Sequence, residues 1–177
     1  GVDAYPWYLQ RPDQPVDLNL SYLVSQFSAT SNSQGELVFD WIPQWQKKSL
    51  TIWPNSDNHV RQRGSYDPQT GDGKLAITLD RLVSLRGKAT HADGSPAAGI
   101  SIRAQGEGYQ FDDFDGATTT DANGQYELKA APNMIYLVVA NGHKLAAAPQ
   151  TGFAVWPNQP VENIDFTMRP ATRLHGR

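Results

Sequence analysis

Apolar and small residues alternate with polar ones along residues 81–132, and clusters of turn-forming residues interrupt the alternation. Every second residue of 83–89 is apolar or small, which predicts a strand with one buried face. The sequence Asp-Gly-Ser-Pro at 93–96 is typical of a turn, because aspartate bonds its own backbone, glycine tolerates a positive φ and proline fixes the exit. Ile100 and Ile102 alternate after this turn, so the pattern predicts a second strand and a hairpin.

The rest of the chain has the same character. A turn sequence at 121–124, Asp-Ala-Asn-Gly, precedes another alternating run at 125–128. The apolar segment 135–140 ends at Asn141-Gly142, the strongest short-range hairpin signal in the chain. Further strands are predicted at 153–156 and 164–168. No segment keeps a helical period over the roughly ten residues that a helix needs. With 15 glycines and 12 prolines in 177 residues, the chain is predicted to be all-β.

An internal repeat at an offset of 89 residues indicates two modules. Three segments align with later ones at this offset: 30–39 with 119–128, 75–79 with 164–168, and 85–88 with 174–177. The repeat predicts a first β-sandwich module at 5–80 and a second at 81–170. Residues 171–177 repeat 82–88, so they are expected to be the opening strand of a following module.

The first module is predicted by the same reasoning, although its pattern is weaker. Its strands are expected at 7–10, 18–22, 50–53 and 75–79, with a long polar loop at 57–73. Gly35 and Gly124 fall at equivalent turn positions of the repeat. Both are expected to have a positive φ, a conformation in which a Cβ would be strained.

A set of turn and strand residues recurs through the second module in a fixed pattern. The residues are Leu85-x-Gly87, Asp93-Gly94-x-Pro96-x-x-Gly99, Thr120-Asp121-x-x-Gly124-x-Tyr126-x-Leu128, Pro132 and Tyr136. This pattern resembles the bacterial carboxypeptidase regulatory-like domain, a β-sandwich of the transthyretin-like and collagen-adhesin B-type group. The first module resembles it more weakly, because Gln14 replaces the turn glycine and no glycine follows Pro15 at the expected spacing.

The resemblance implies two tandem immunoglobulin-like or transthyretin-like β-sandwich modules without catalytic activity. Such modules usually occur in tandem in exported or envelope-associated bacterial proteins. The expected partners are therefore neighbouring modules of a parent chain and an unknown protein or glycan ligand. The expected location is extracytoplasmic: cell surface, periplasmic or secreted. The first residues do not form the positively charged, apolar segment that is typical of a secretory leader.

Charge and composition exclude several classes of function. The formal net charge of −3 provides no basic face for nucleic acid. The apolar runs are too short for membrane insertion. With no cysteine, the chain has no disulfide, zinc-thiolate site or thiol nucleophile. The four histidines are isolated from one another, and no Gly-x-Ser-x-Gly motif is present, so we do not expect an enzyme.

An acidic group near residue 115 is a candidate calcium site. Calcium prefers carboxylate and carbonyl oxygens, and Asp112, Asp113, Asp115, Asp121 and Asn123 could supply them. The alternative is a solvated acidic loop beside a turn in which Asp121 bonds backbone amides. We favour the alternative because the spacing matches no dedicated calcium loop. No other cofactor is expected.

Four tryptophans are candidates for stacking against carbohydrate. Trp41, Trp45, Trp53 and Trp156 each offer a large flat apolar face with one donor. The alternative, which we favour, is packing in the core or between modules. Trp45 lies between Gln44 and Gln46 and is expected to be the most exposed of the four.

The B-type resemblance raises one covalent possibility, a Lys–Asn isopeptide bond between Lys88 and Asn163. Such a bond needs both side chains buried beside a carboxylic acid. Lys88 lies on the strand face opposite Leu85 and Ala89 and should point to solvent, so we do not favour this bond. The sequence as a whole predicts a structural or protein-binding pair of modules from a larger exported bacterial protein. The alternative is a carbohydrate-binding accessory module that uses exposed tryptophans.

Overall fold

A computed structural model describes residues 1–11, 13, 17–106 and 116–172 of the chain. The chain divides into two compact units, Gly1–Leu79 and Asp80–Arg177. Strands provide most of the regular structure in both units, so the predicted all-β class is confirmed. No helix in the described ranges has the length and apolarity needed to cross a bilayer.

The first unit has a four-stranded antiparallel sheet and a short hairpin. Its elements in chain order are β1 (Asp3–Pro6), β2 (Tyr8–Leu9), β3 (Leu18–Asn19), a 3-10 helix (Ser21–Leu23), α1 (Val24–Phe27), β4 (Ala29–Thr30), β5 (Leu50–Asn55) and β6 (Gly64–Tyr66). The sheet has the order β4-β1-β5-β6, and β2 pairs with β3. Side chains alternate along β5, where Leu50, Ile52 and Pro54 are buried and Thr51 and Trp53 are half-buried on the other face.

The core of the first unit lies on the Leu50 and Ile52 side of its sheet. Ala4, Leu9 and Leu20 complete this buried cluster. Tyr66 of β6 packs against it, as do partly buried side chains from outside the sheet: Phe27, Leu37, Phe39, Trp41, Ile42 and Ile77.

The strand predicted at 18–22 is wrong beyond Asn19. The side-chain oxygen of Asn19 accepts a hydrogen bond from the Ser21 amide at 2.8 Å, and the chain turns into the 3-10 helix. Leu20 is fully buried, whereas Tyr22 is 87% exposed. The apolar spacing of 18–22 is therefore satisfied by a turn, which sends the two side chains to different environments.

Two other predictions for the first unit also fail. Residues 75–79 do not form a strand, and the side chains of Leu75 and Ile77 instead lie over Gly64. The polar segment 57–73, predicted as a loop, contains β6. Strands at the 89-residue offset thus do not correspond throughout, and the tandem pair of like sandwiches is not confirmed.

The second unit is a β-sandwich. Its strands are β7 (Val83–His91), β8 (Ser101–Gly106), β9 (Gly116–Thr119), β10 (Gln125–Ala130), β11 (Met134–Gly142), β12 (Leu145–Ala146), β13 (Gln150–Val155) and β14 (Phe166–Pro170). They follow the order β10-β7-β14-β12-β11-β8-β9, with β13 also paired to β11. β14 and β7 are parallel, and the other strand pairs are antiparallel.

Strands from both halves of the sandwich contribute buried side chains to one core. Leu85, Leu128 and Phe166 come from β7, β10 and β14, and Ile102 and Val138 come from β8 and β11. Strict alternation is clearest in β10, where every second residue is buried.

The predicted turns occur, but two of them do not join named strands that pair with each other. β7 pairs with β10 and β14, whereas β8 pairs with β11 and β9. The turn at 93–96 therefore carries the chain from one half of the sandwich to the other, as does the turn at 121–124. The hairpin after β11 exists, but its turn residues are His143 and Lys144, two positions beyond Asn141-Gly142.

The predicted positive φ values at Gly35 and Gly124 are confirmed, at 83° and 73°. A second constraint acts at Gly124, where a Cβ would lie 2.3 Å from the Ala89 carbonyl oxygen. The predicted opening strand of a following module cannot be placed, because residues 173–177 lie outside the described residues, as do Gln14 and Pro15 of the predicted first turn.

Candidate binding surfaces

An aromatic cluster covers the outer face of the sheet in the first unit. It consists of Tyr5, Trp7, Tyr8 and Trp53. Tyr5 lies directly opposite Trp53 in the β1–β5 register, so both rings project from the same face. Their strand neighbours Ala4 and Pro54 are buried on the core face.

Trp7 is at the centre of this aromatic cluster. Its ring centroid lies 5.2 Å from that of Trp53, 6.1 Å from that of Tyr5 and 6.0 Å from that of Tyr8. These separations are within the range of favourable aromatic pairs. The Trp7 backbone is also fixed, because its amide donates to the Thr51 carbonyl and its carbonyl accepts from the Leu20 amide, each at 2.9 Å.

Polar side chains surround the aromatic cluster on the same sheet face. We call them the polar rim: Asp3, Thr30, Thr51, Asn55 and Ser65. Asp3 lies opposite both Thr30 and Asn55, and Thr51 lies opposite Ser65. The Thr30 hydroxyl donates to the Asp3 carboxylate at 2.5 Å. The face thus combines apolar ring surface with hydroxyl, amide and carboxylate groups.

The four tryptophans predicted as candidates lie in different environments. Trp53 belongs to the aromatic cluster. Trp41 packs on the core side of the first unit, with its ring 4.9 Å from Phe27. Trp45 is 39% exposed, whereas Trp156, directly after β13, is 57% exposed, so the prediction that Trp45 is the most exposed of the four is wrong.

Sequence reasoning missed Tyr5, Trp7 and Tyr8 as members of a surface. The alternation of Tyr5 and Trp7 about Pro6 is a signal for two rings on one face. Their proximity to Trp53 depends on the pairing of β1 with β5, which joins positions far apart in the chain.

The residues predicted for calcium are only partly described. Asp112, Asp113 and Asp115 lie outside the described residues. One carboxylate oxygen of Asp121 accepts the backbone amides of Asn123 and Gln125, at 2.9 and 2.8 Å. Asp121 thus has the turn-stabilising role of the favoured alternative, and the calcium site stays a prediction. The described ranges contain no cluster of three or more metal-ligating side chains of the His, Cys, Asp or Glu type.

A charged network lies on the outer face of β7 and β10. The Glu127 carboxylate accepts hydrogen bonds from the Ser84 hydroxyl at 2.6 Å, Arg86 at 3.1 Å and Lys129 at 3.0 Å. These bonds, with that of Ser84 the strongest, lower the pKa of Glu127 to about 2. Arg86 also pairs with Glu162 at 2.9 Å, and the two carboxylates raise the pKa of Arg86.

Lys88 continues this outer face of the sandwich. Its side chain is 60% exposed, with its ammonium 3.9 Å from the Asp165 carboxylate. This exposure agrees with the expectation that argued against an isopeptide bond to Asn163. The arrangement is that of an ion pair at the surface.

The opposite half of the sandwich has a different outer face. Ile135, which is 47% exposed, lies on the same face of β11 as Leu137 and Val139, and the buried residues Tyr136 and Val138 alternate with them. Leu137 and Val139 line a shallow cavity of about 290 Å³ together with Arg103 and Ala117. We call the surface formed by Ile135, Leu137, Val139 and Arg103 the β11 strip. It has three apolar side chains next to the positively charged Arg103.

The motif residues of the second unit hold the sandwich together from inside. The Tyr126 hydroxyl donates to the Ile164 carbonyl at 2.5 Å. Gly87 lies against the same carbonyl, and a Cβ there would approach its oxygen to 2.0 Å. Thr120 is buried, with its hydroxyl donating to the Ala97 carbonyl and accepting the Ile100 amide. These side chains therefore serve the packing of the domain itself.

The family model of the carboxypeptidase regulatory-like domain matches residues 84–169, which span these strands and motif residues. Residues 84–169 are thus similar to this family, and we refer to them as the regulatory-like domain. No curated protein matches the chain.

Beyond the regulatory-like domain, the whole chain shows a weak likeness to solved structures. The shaft pilin SpaA from Lactobacillus rhamnosus GG is 10% identical, with a TM-score of 0.39 over 99% of this chain and 89% of that chain. A double mutant of the same pilin is 12% identical, with a TM-score of 0.40 over 99% and 86% of the two chains. A likeness at this level says nothing about function.

Proposed function

We propose that the chain is a non-catalytic structural and protein-binding part of a larger extracytoplasmic bacterial protein. The observation that carries this proposal is the use of polar motif residues in the regulatory-like domain. Thr120, Asp121 and Tyr126 all direct their side chains to the domain's own backbone. Motif side chains that bond the backbone of their own domain stabilise its fold.

The extracytoplasmic location is supported by the family, because related modules usually occur in exported bacterial proteins. Fractionation of host cells, with an antibody raised against residues 80–177, tests the location. We expect the signal in the periplasmic, envelope or secreted fraction. A signal confined to the cytoplasmic fraction would contradict this part of the proposal.

The β11 strip is the surface that favours a protein partner. Protein interfaces have apolar centres, in which arginine is enriched among the charged residues. Ile135, Leu137 and Val139 provide the apolar side chains, and Arg103 provides the cation. The neighbouring modules of the parent protein are the partners that the family suggests.

Site-specific photo-crosslinking within the parent protein tests this interface. A crosslinking amino acid at position 137 should give one discrete product, whereas the same residue at exposed position 123, in the turn at 121–124, should give none. The substitution Ile135→Glu should remove the product and leave the melting temperature within about 2 °C, since it lies at the surface. Equal yields at 137 and 123, or no product at either position, would contradict protein binding by this strip.

A further inference from the structure

We infer that the aromatic cluster of the first unit, Tyr5, Trp7, Tyr8 and Trp53, binds carbohydrate, and that its ligand is a neutral glycan built of pyranose rings. This inference goes beyond the structural function proposed for the chain. It concerns a surface of the first unit, which lies outside the regulatory-like domain.

The four rings of the aromatic cluster lie on the face of the sheet that the core does not use. The core of the first unit is on the other face, formed by Ala4, Leu50 and Ile52 and by the residues packed against them. None of the four rings of the cluster is among the described residues that make up or pack against that core. Tyr8 is 39% exposed, and the other three rings are half-buried. The core therefore does not account for four large aromatic side chains at this position.

The chemistry of the surface also favours a carbohydrate. A pyranose ring has a face of C–H groups, which packs on an aromatic face, and a perimeter of hydroxyl groups, which need hydrogen-bond partners. Trp7 and its neighbours provide adjoining rings with centroids 5.2 to 6.1 Å apart, inclined to the Trp7 plane by 26° at Tyr5, 46° at Trp53 and 61° at Tyr8. The polar rim provides the complementary donors and acceptors. Binding sites for small polar ligands commonly combine aromatic side chains with a few placed polar groups.

The charge of the polar rim bears on which class of glycan could bind. Among the five residues of the polar rim, Asp3 alone is ionisable, and it is an acid. A carboxylate at the edge of the surface disfavours sulfated or uronic sugars through like-charge repulsion. The other four residues of the polar rim present neutral hydroxyl or amide groups. The charge pattern therefore favours a neutral glycan.

A proline-rich peptide is the other ligand that aromatic surfaces recognise. Such peptides dock into grooves between aromatic side chains. Here the rings of Tyr5 and Trp53 stand side by side on a continuous pair of strands, with hydrogen-bonding groups beyond each end. These flanking hydroxyl, amide and carboxylate groups match the hydroxyl perimeter of a sugar ring, and the peptide becomes one arm of the test.

Titration calorimetry with the full chain tests the inference. The probes are cellohexaose, N-acetylchitohexaose, mannohexaose, maltohexaose and a decaproline peptide. We expect at least one hexasaccharide to bind and to change the tryptophan fluorescence. The substitutions Trp7→Ala and Trp53→Ala should each weaken that binding by about tenfold or more, which is the effect of removing a central aromatic contact.

Trp156→Ala is the matched control, because it removes an exposed tryptophan from the second unit. It should leave the affinity unchanged. If Trp7→Ala lowers the melting temperature, Asn55→Ala decides the question, since it removes an exposed group of the polar rim and no ring. Asn55→Ala should weaken binding at an unchanged melting temperature.

Three results would overturn the inference. The first is that none of the four hexasaccharides binds the full chain. The second is that binding occurs and is lost in Trp156→Ala while Trp7→Ala and Asn55→Ala retain it. The third is that decaproline alone binds, which would assign the aromatic cluster to peptide recognition.

Discussion

Gly124 is held by two separate constraints, and a pair of substitutions distinguishes them. Its φ of 73° disfavours any side chain, and a Cβ would also approach the Ala89 carbonyl oxygen to 2.3 Å. That carbonyl cannot move freely, because it accepts the Ala97 amide at 3.0 Å. Gly94 has a similar φ of 84° with nothing within 4 Å of its Cβ position.

We predict that Gly124→Ala destabilises the second unit by at least about 1 kcal/mol more than Gly94→Ala does. Both substitutions incur the left-handed backbone strain, but only the first also displaces a hydrogen-bonded carbonyl. Urea denaturation of the two variants and the parent chain measures the difference. Equal losses would show that the backbone strain alone requires glycine at position 124.

The hydroxyl of Tyr126 makes a buried hydrogen bond that can be removed by deleting one oxygen atom. Its hydroxyl donates to the Ile164 carbonyl at 2.5 Å, and burial raises the pKa of Tyr126, so the hydroxyl keeps its proton. Tyr126→Phe should lower the unfolding free energy by about 1–3 kcal/mol, because the carbonyl loses its donor in an apolar site. Tyr22→Phe is the control, since Tyr22 is 87% exposed. Its stability should stay within about 0.5 kcal/mol of the parent, and equal effects of the two substitutions would refute the role of the bond.

At the scale of the strand pair, the charged network on β7 and β10 makes stability depend on pH. Hydrogen bonds from Ser84, then Arg86 and Lys129, lower the pKa of Glu127 from 4.5 to about 2. A carboxylate with a lowered folded-state pKa contributes its full stability above the unfolded-state pKa. That contribution is lost as the pH falls through the folded-state value. The relevant window is therefore from about pH 4.5 down to about pH 2.

We predict that the melting temperature of the parent chain falls more steeply across this window than that of Glu127→Gln. The corresponding difference in the free energy of unfolding should be small, below about 1 kcal/mol, because the Glu127 side chain is 41% exposed and solvent screens its charge. Ser84→Ala should show an intermediate slope, since it removes the strongest of the three bonds. Parallel profiles for the parent and Glu127→Gln would show that Glu127 does not link folding to pH.

The same scale shows which strands the sequence predicts and which it does not. β10 was predictable, because buried and exposed residues alternate along it without interruption, so that one face lies in the core and the other in solvent. The segment 18–22 has the same apolar spacing, yet the Asn19 side chain competes for the backbone and the strand ends. Local hydrogen bonding of this kind leaves no trace in hydrophobic periodicity.

Strand pairing was less predictable than strand position. The turn at 93–96 formed as expected, with the Asp93 carboxylate accepting the Ser95 amide at 2.9 Å. The chain then reaches Gly99, whose φ of 72° allows a second change of direction, and β8 enters the other half of the sandwich. The aromatic cluster was missed for a related reason. Trp53 was identifiable by residue type, but Trp7 joins it only through the pairing of β1 with β5.

At the scale of the whole molecule, the two units differ in the size of their cores. Among the described residues, the core of the second unit contains 17 buried apolar residues and that of the first contains five. Each cluster draws its members from its own unit. Small domains bury a smaller fraction of their surface and are correspondingly marginal in stability. The five-residue core is thus expected to provide much less stabilisation than the other.

We therefore predict that a fragment of residues 80–177 folds alone and unfolds cooperatively, whereas a fragment of residues 1–79 melts at a lower temperature and with a broader transition. Thermal unfolding followed by circular dichroism compares the two fragments. The same measurement tests the proposed carbohydrate binding, because the aromatic cluster lies on the sheet of the smaller core. A glycan that binds this surface should raise the melting temperature of the first unit and leave that of the second unchanged, since a ligand stabilises only the folded state that binds it. A fragment 1–79 that proved as stable as 80–177 would show that features other than core size determine its stability.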